Sequence, residues 1–226
     1  MRTEELIASL ARDLPPVRRA APPATLLLRW LLVTVPVLAM VVYAMGLRPD
    51  LAGLLTQPRF MLAELLALTT ALISAYAAFC AGRPDEPGWK LYLPMAALAL
   101  WLLELGRQCF ILSLQTHGAA LILRPDFLCV PAIAMAGFVP AVAMVWLLRR
   151  SAMFRTTHAC LCGAMAAAAA AEVALPLFHA ADTMMTVLVW QMGSVMLFTA
   201  LGALFGRITL RLLSNTTPHT DISKSH

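Results

Sequence analysis

Three carboxylates and a guanidinium stand at membrane depth in this chain, where an ionisable side chain is expensive unless it pairs or meets water. Glu64, Glu104 and Glu172 fall on three different apolar stretches, each in the outer third of its run under the orientation argued below. Arg107, three residues after Glu104, shares its helix face and is the one nearby cation able to neutralise it. Such a layer serves either as an ion pathway or small-solute site, or as interhelical glue with snorkelling at the interface. Sulfur and imidazole supply a second set. Cys109 closes the third stretch and Cys129 opens the fourth, on the same side as His117 and His179. The two cysteines could form a disulfide in an oxidising compartment, Cys129 with His179 could bind a soft metal, and the histidines could titrate near neutral pH. At the other side, in His158-Ala-Cys-Leu-Cys162, Cys160 and Cys162 point to well-separated helix faces. His158 and Cys162 share a face, but two ligands do not close a zinc site. No nucleophile with a base at usable spacing and no Gly-rich phosphate loop is present, so neither an enzyme activity, a structural metal nor a cofactor is expected.

The elements that must position these groups are membrane helices. Of 226 residues 61% are hydrophobic and only 13% charged, about half the charged share of a soluble domain, and the mean hydropathy is +0.78. Six runs are long enough to cross a bilayer: Ala24 to Met45, Phe60 to Ala81, Trp89 to Leu112, Phe127 to Leu148, His158 to Phe178, and Thr183 to Phe205. The expected fold is an all-α bundle of six transmembrane helices. The fifth run is almost all alanine from Met165 to Ala171, a weak insertion signal that suits close helix packing. The basic residues flank the apolar runs instead of forming one patch, which argues against direct nucleic-acid binding despite a net charge of +5. With both termini cytoplasmic, thirteen Lys and Arg lie inside and only Arg48, Arg59, Arg107 and Arg124 outside. No cleavable signal peptide is expected, because the first apolar run follows about twenty polar residues and is long enough to span. The domain boundaries expected are 1–21 for a cytosolic segment, 22–206 for the six spans, and 207–226 for a basic tail that becomes disordered from Ser214.

Residues 1–21 are the only stretch polar and long enough to work in water. Thr3 is placed to cap a helix whose first turn holds Glu4 and Glu5, and Pro15 and Pro16 stop it. Leu6, Ile7, Leu10 and Leu14 stack into one apolar stripe opposite Glu5, Ser9, Arg12 and Asp13. A helix of roughly 11 residues is marginal alone in water, so it forms by docking on a partner protein, on its own membrane domain or on lipid. The acidic residues and sparse cations make lipid the weakest of the three.

The chain resembles the NrsF-type membrane anti-sigma factors, small six-span proteins. The residues carrying the resemblance are Glu5-Leu6-Ile7 with Leu10-Ala11-Arg12-Asp13-Leu14, Pro16-Val17-Arg18-Arg19 and Pro22, then Gly46-Leu-Arg-Pro-Asp-Leu51 and Pro58-Arg59-Phe60 with Glu64. Cys129 with Pro131, Leu148-Arg-Arg150 and Trp190-Gln-Met-Gly193 follow in order. The resemblance implies a bacterial inner-membrane protein that sequesters a cytosolic extracytoplasmic-function (ECF) sigma factor until an envelope, metal or oxidative stress releases it. It assigns partner binding to Leu6, Ile7, Leu10, Arg12, Asp13, Leu14 and Val17. Some members carry a second outer cysteine after the fifth span; here that region reads Leu177-Phe-His-Ala-Ala-Asp182, so His179 stands about there and Gln191 follows Trp190 where a His is common. Sensing is then assigned to Cys129 with His179 or Cys109. The alternative from another class is a small ion or solute transporter built on Glu64, Glu104, Arg107 and Glu172.

Overall fold

The structure, a computed structural model, describes residues 3–5, 7, 21–117, 129–149, 155–179 and 184–215. Its six long helices are α1 (Pro23–Met45), α2 (Pro58–Ala81), α3 (Leu93–Gln115), α4 (Cys129–Leu148), α5 (Thr156–Phe178) and α6 (Met192–Asn215), with no strand among the described residues. All six are long and apolar enough to cross a membrane. In hydrocarbon each backbone N–H and C=O must be bonded within its own segment, and apolar runs of this length meet that demand only as helices. Prolines open α1 and α2 at Pro23 and Pro58, where the missing N–H costs nothing. Gly46 ends α1 at φ 82°, its N–H bonded to the Val42 carbonyl at 3.0 Å.

The expected spans lie within a few residues of these helices, with two additions. A 3₁₀ turn, Gly88–Leu91, leads into α3, and a π-helical segment, Val187–Gln191, leads into α6. α6 also continues past Phe205 to Asn215, so the stretch expected to be unstructured begins inside a helix, and 216–226 lie outside the described residues.

α5 is the axis of the bundle, packed along α2, α4 and α6 and touched by α1. Ala166 to Ala171 are all buried, so methyl groups are all that separates it from its neighbours. Small side chains let backbones approach, and dispersion between close-packed helices replaces a hydrophobic force that lipid cannot supply. The tightness is visible at Gly202 of α6, where an added methyl would stand 3.0 Å from the Ala164 Cβ. α1 is held to α4 by Trp30, 1% exposed, whose indole Nε1 donates to the Pro140 carbonyl at 3.0 Å. α3 is more peripheral and packs chiefly on α2.

The two ends of the bundle differ in polarity. On the side where α1 begins, the Arg83 guanidinium donates to the Ala21 carbonyl at 3.1 Å, the Arg155 backbone N–H to the Ala81 carbonyl at 3.0 Å, and Lys90 to Glu86 at 2.6 Å. Exposed Trp89 and Tyr92 stand there, and Tyr43 stands at the opposite end, as aromatics do at membrane interfaces. Between these belts the outward surface is Leu, Phe, Val and Met, including Leu32, Leu100, Leu103, Phe138 and Leu204.

Candidate functional site

A helix turns about 100° per residue, so Glu172, Pro176 and His179 share one flank of α5 while Ala170, Val173, Ala174 and Leu177 share the opposite one. The first flank borders a recess of about 430 Å³ between α2, α3, α5 and the π segment. Phe60 and Glu64 enter from α2, Trp101, Leu105 and Gln108 from α3, and Val187 and Gln191 from the π segment, with Arg48 and Arg59 at the mouth. The widened turn of a π segment changes which residues share a face, and such segments recur at functional sites. Val187 and Gln191, four residues apart and on one face of the segment, both reach the recess, with Gln191 only 3% exposed.

The expected layer of four charged groups divides. Glu64 and Glu172 both line the recess. Glu172 is 3% exposed and its Oε2 has no hydrogen-bond partner. Glu104 is held apart by Arg107, which donates from Nη2 and Nε at 2.7 and 2.8 Å, and by the Gln108 amide at 2.9 Å. That same amide donates to the Arg59 carbonyl at 3.1 Å and ties α3 to the start of α2. The pairing of Glu104 with Arg107 follows from their spacing. The reading of Arg107 as the only nearby cation is corrected, because Arg48, from the connection after α1, and Arg59, in the first turn of α2, both line the recess although sequence distance places them far from Glu172.

Arg48 closes the mouth. Its side chain grips Asp50 with two bonds of 2.7 Å and reaches the carbonyls of Pro176 and His179 at 3.5 Å, while its backbone N–H bonds the Leu177 carbonyl at 3.0 Å. A cation over the unbonded carbonyls at the end of a helix is favourable. The guanidinium in turn holds the Asp50 carboxyl below the usual carboxylate range.

His179 lines the same recess at the end of α5. Cys109 is a buried free thiol on α3. Cys129 stands in the first turn of α4, and its side chain lies outside the described ones. Among the described residues no three His, Cys, Asp or Glu side chains gather as metal ligands. Of the expected partner-binding residues, Leu6, Leu10, Arg12, Asp13, Leu14 and Val17 lie outside the described residues. Thr3 to Glu5 are helical, with Thr3 already inside the helix instead of capping it, and Ile7 is helical and 60% exposed.

Gln191, Gln108, Arg48 and Arg59 are the site residues that reading the sequence missed. Gln191 carried a signal, being a polar residue inside an apolar run, but its weight emerges only beside Glu172.

The fold and the recess define a multi-pass helical membrane protein. Residues 10–212 match the family described as negative regulator of sigma F. The chain belongs to that family, NrsF, and is a negative regulator of a sigma factor, a regulatory role that points away from an enzyme. No curated protein and no solved structure matches it.

Proposed function

We propose that this protein is a membrane anti-sigma factor that holds an ECF sigma factor at the bacterial inner membrane through residues 1–21 and releases it on an envelope, metal or oxidative stress. The family match over residues 10–212 carries the reading. Ile7 supports it as well: a helical residue with an apolar side chain 60% exposed leaves surface for a partner to cover. The thirteen-to-four distribution of Lys and Arg supports cytoplasmic termini, which put the segment in the compartment of the sigma factor. On this reading Leu6, Ile7, Leu10, Leu14 and Val17 anchor the partner and Arg12 and Asp13 set its register. Residues 22–206 form the membrane domain, and residues 207–226 form the tail. Sequestration requires only that the docked stripe covers a surface the sigma factor needs for RNA polymerase. Release is a shift of the bundle between two arrangements that present or withdraw the segment. Transport is the weaker reading, because Glu104 is already neutralised by Arg107 at 2.7 Å.

A pull-down from gently solubilised membranes tests this, comparing the full chain with one carrying Leu6→Asp and Leu10→Asp. A sigma factor is expected with the first and absent from the second, while both insert equally. Failure to recover one with either, or equal recovery with both, overturns the assignment of the segment. For the sensing residues, Cys129→Ser is expected to blunt target-gene induction under oxidant and metal stress; unchanged induction removes Cys129 from the signal path.

A further inference from the structure

Where the N-terminal segment meets the bundle, the backbone is stiff and tied. Ala21 precedes Pro22 and Pro22 precedes Pro23, and a residue before proline is pushed out of the helical region into extended backbone. Pro22 accordingly has φ −61° and ψ 151°, and Pro23 opens α1. The first N–H groups of that helix, on Thr25 and Leu26, bond the Pro22 carbonyl at 3.0 and 3.2 Å, so the Ala21 carbonyl lies one residue outside it. It accepts from Nη2 of Arg83 at 3.1 Å, a bond between residues 62 apart in the chain. Ala21 itself packs against the main apolar core.

Arg83 is built to hold that carbonyl in place. Its side chain is 23% exposed, shielded enough for a charge-assisted hydrogen bond to count. Its own N–H donates to the Cys80 carbonyl at 3.0 Å, which fixes its root just past the end of α2. Two residues before it, the Ala81 carbonyl accepts from the backbone N–H of Arg155, the residue that caps α5, at 3.0 Å. The exit of the segment is therefore tied to the ends of α2 and α5. The opposite ends of those two helices carry Glu64 and Glu172 to the recess.

We propose that Arg83 is the positioning residue of the N-terminal segment: its bond to the Ala21 carbonyl sets the direction in which residues 1–20 leave the bundle and passes shifts of α2 on to them. Packed helices move as rigid elements, so the tether sits where a displacement of α2 arrives. The regulatory part of this rests on the reading that the segment holds a sigma factor; the tether does not.

Limited trypsin digestion of the purified full chain in lipid nanodiscs reads the tether without any partner. The bond after Arg19 lies two residues from Ala21, and a protease needs several residues of free, extended chain on both sides of the bond it cuts. Arg83→Met keeps the bulk of the stem and removes every donor. It is expected to speed cleavage after Arg19 about fivefold, the size of one lost hydrogen bond, while cleavage after Arg150, between α4 and α5, keeps its wild-type rate. Unchanged cleavage after Arg19 overturns the proposal, and equal quickening after Arg150 overturns it in favour of a general loosening of that end of the bundle. In cells, the same variant is expected to leave recovery of the sigma factor in the pull-down unchanged and to cut stress induction of its target genes about threefold or more. Full induction together with quickened cleavage overturns the passing of shifts through Arg83. If the wild-type protein recovers no sigma factor, the reading of the segment fails and the tether still stands or falls on the digestion.

Discussion

The two flanks of α5 open on two spaces of opposite character. On one side a groove of about 700 Å³ runs between α1, α2 and α5, walled by Trp30, Leu38, Leu72, Ala170, Val173 and Ala174. On the other side lies the recess of about 430 Å³ with Glu64, Glu172 and Gln191. α5 turns Glu172, Pro176 and His179 to the recess and Ala170, Val173, Ala174 and Leu177 to the groove, so the helix itself carries part of the difference. Acyl chains suit a groove so lined, in which the buried Thr34 hydroxyl is the polar group without a partner among the described lining residues. The recess gathers polar and ionisable groups, Glu64, Glu172, Gln191, Arg48, Arg59 and His179, that hydrocarbon cannot satisfy.

The contrast is broken most severely by moving the charge across the helix. Ala174→Glu places a carboxyl in the apolar groove and is expected to cost about 3 kcal/mol or more, read as loss of folded, monodisperse protein after extraction. If that variant behaves as wild type, the groove is wetter than its lining implies. Next in size is Glu172→Gln, expected to stabilise by about 1 to 2 kcal/mol in thermal unfolding, because the amide has no ionised form to give up on burial, whereas the carboxyl must lose its charge or bury it with one oxygen unpartnered. A loss of stability would reveal a partner that Glu172 needs. Trp30→Phe keeps most of the apolar wall and deletes the indole bond to Pro140. A loss of about 1 kcal/mol is expected, and no loss would mean that packing alone holds α1 to α4.

The smallest effect concerns the mouth. Arg48 depresses the Asp50 carboxyl, so the folded state favours the ionised form. That contribution is present above the unfolded carboxyl's pKa near about 4 and fades as pH falls through the depressed folded value. Hydrogen exchange across residues 46–57 is expected to quicken in acid for the wild-type protein and to lose that pH dependence in Asp50→Asn.

Much of the fold was legible in the sequence because hydrocarbon leaves so few options. An apolar run with prolines at its edges has one available structure, and Pro23–Met45 and Pro58–Ala81 fall where hydropathy puts them. The alanine run in α5 was legible as close packing for the same reason. The recess was only half legible. Glu64 and Glu172 stand out as charges in apolar runs, yet which charges meet depends on how helices rotate against each other, and one sequence does not encode that locally. Glu104 was therefore grouped with them, although its own neighbours Arg107 and Gln108 satisfy it. The π segment was invisible, since Val187–Gln191 reads as ordinary apolar helix.

The Arg48 contact also dates the assembly of the mouth. The hydrogen bond from Arg48 to the Pro176 carbonyl joins residues 128 apart in the chain. A ribosome adding about 5 to 20 residues per second makes the second partner on the order of 10 s after the first. During that interval the arginine has only Asp50, two residues on, which is made almost at once and shields its charge at the membrane edge. The mouth of the recess is therefore a late product of biosynthesis, completed when the fifth span arrives, and a chain stalled before α5 would carry the arginine clasped to its neighbour with nothing yet to close.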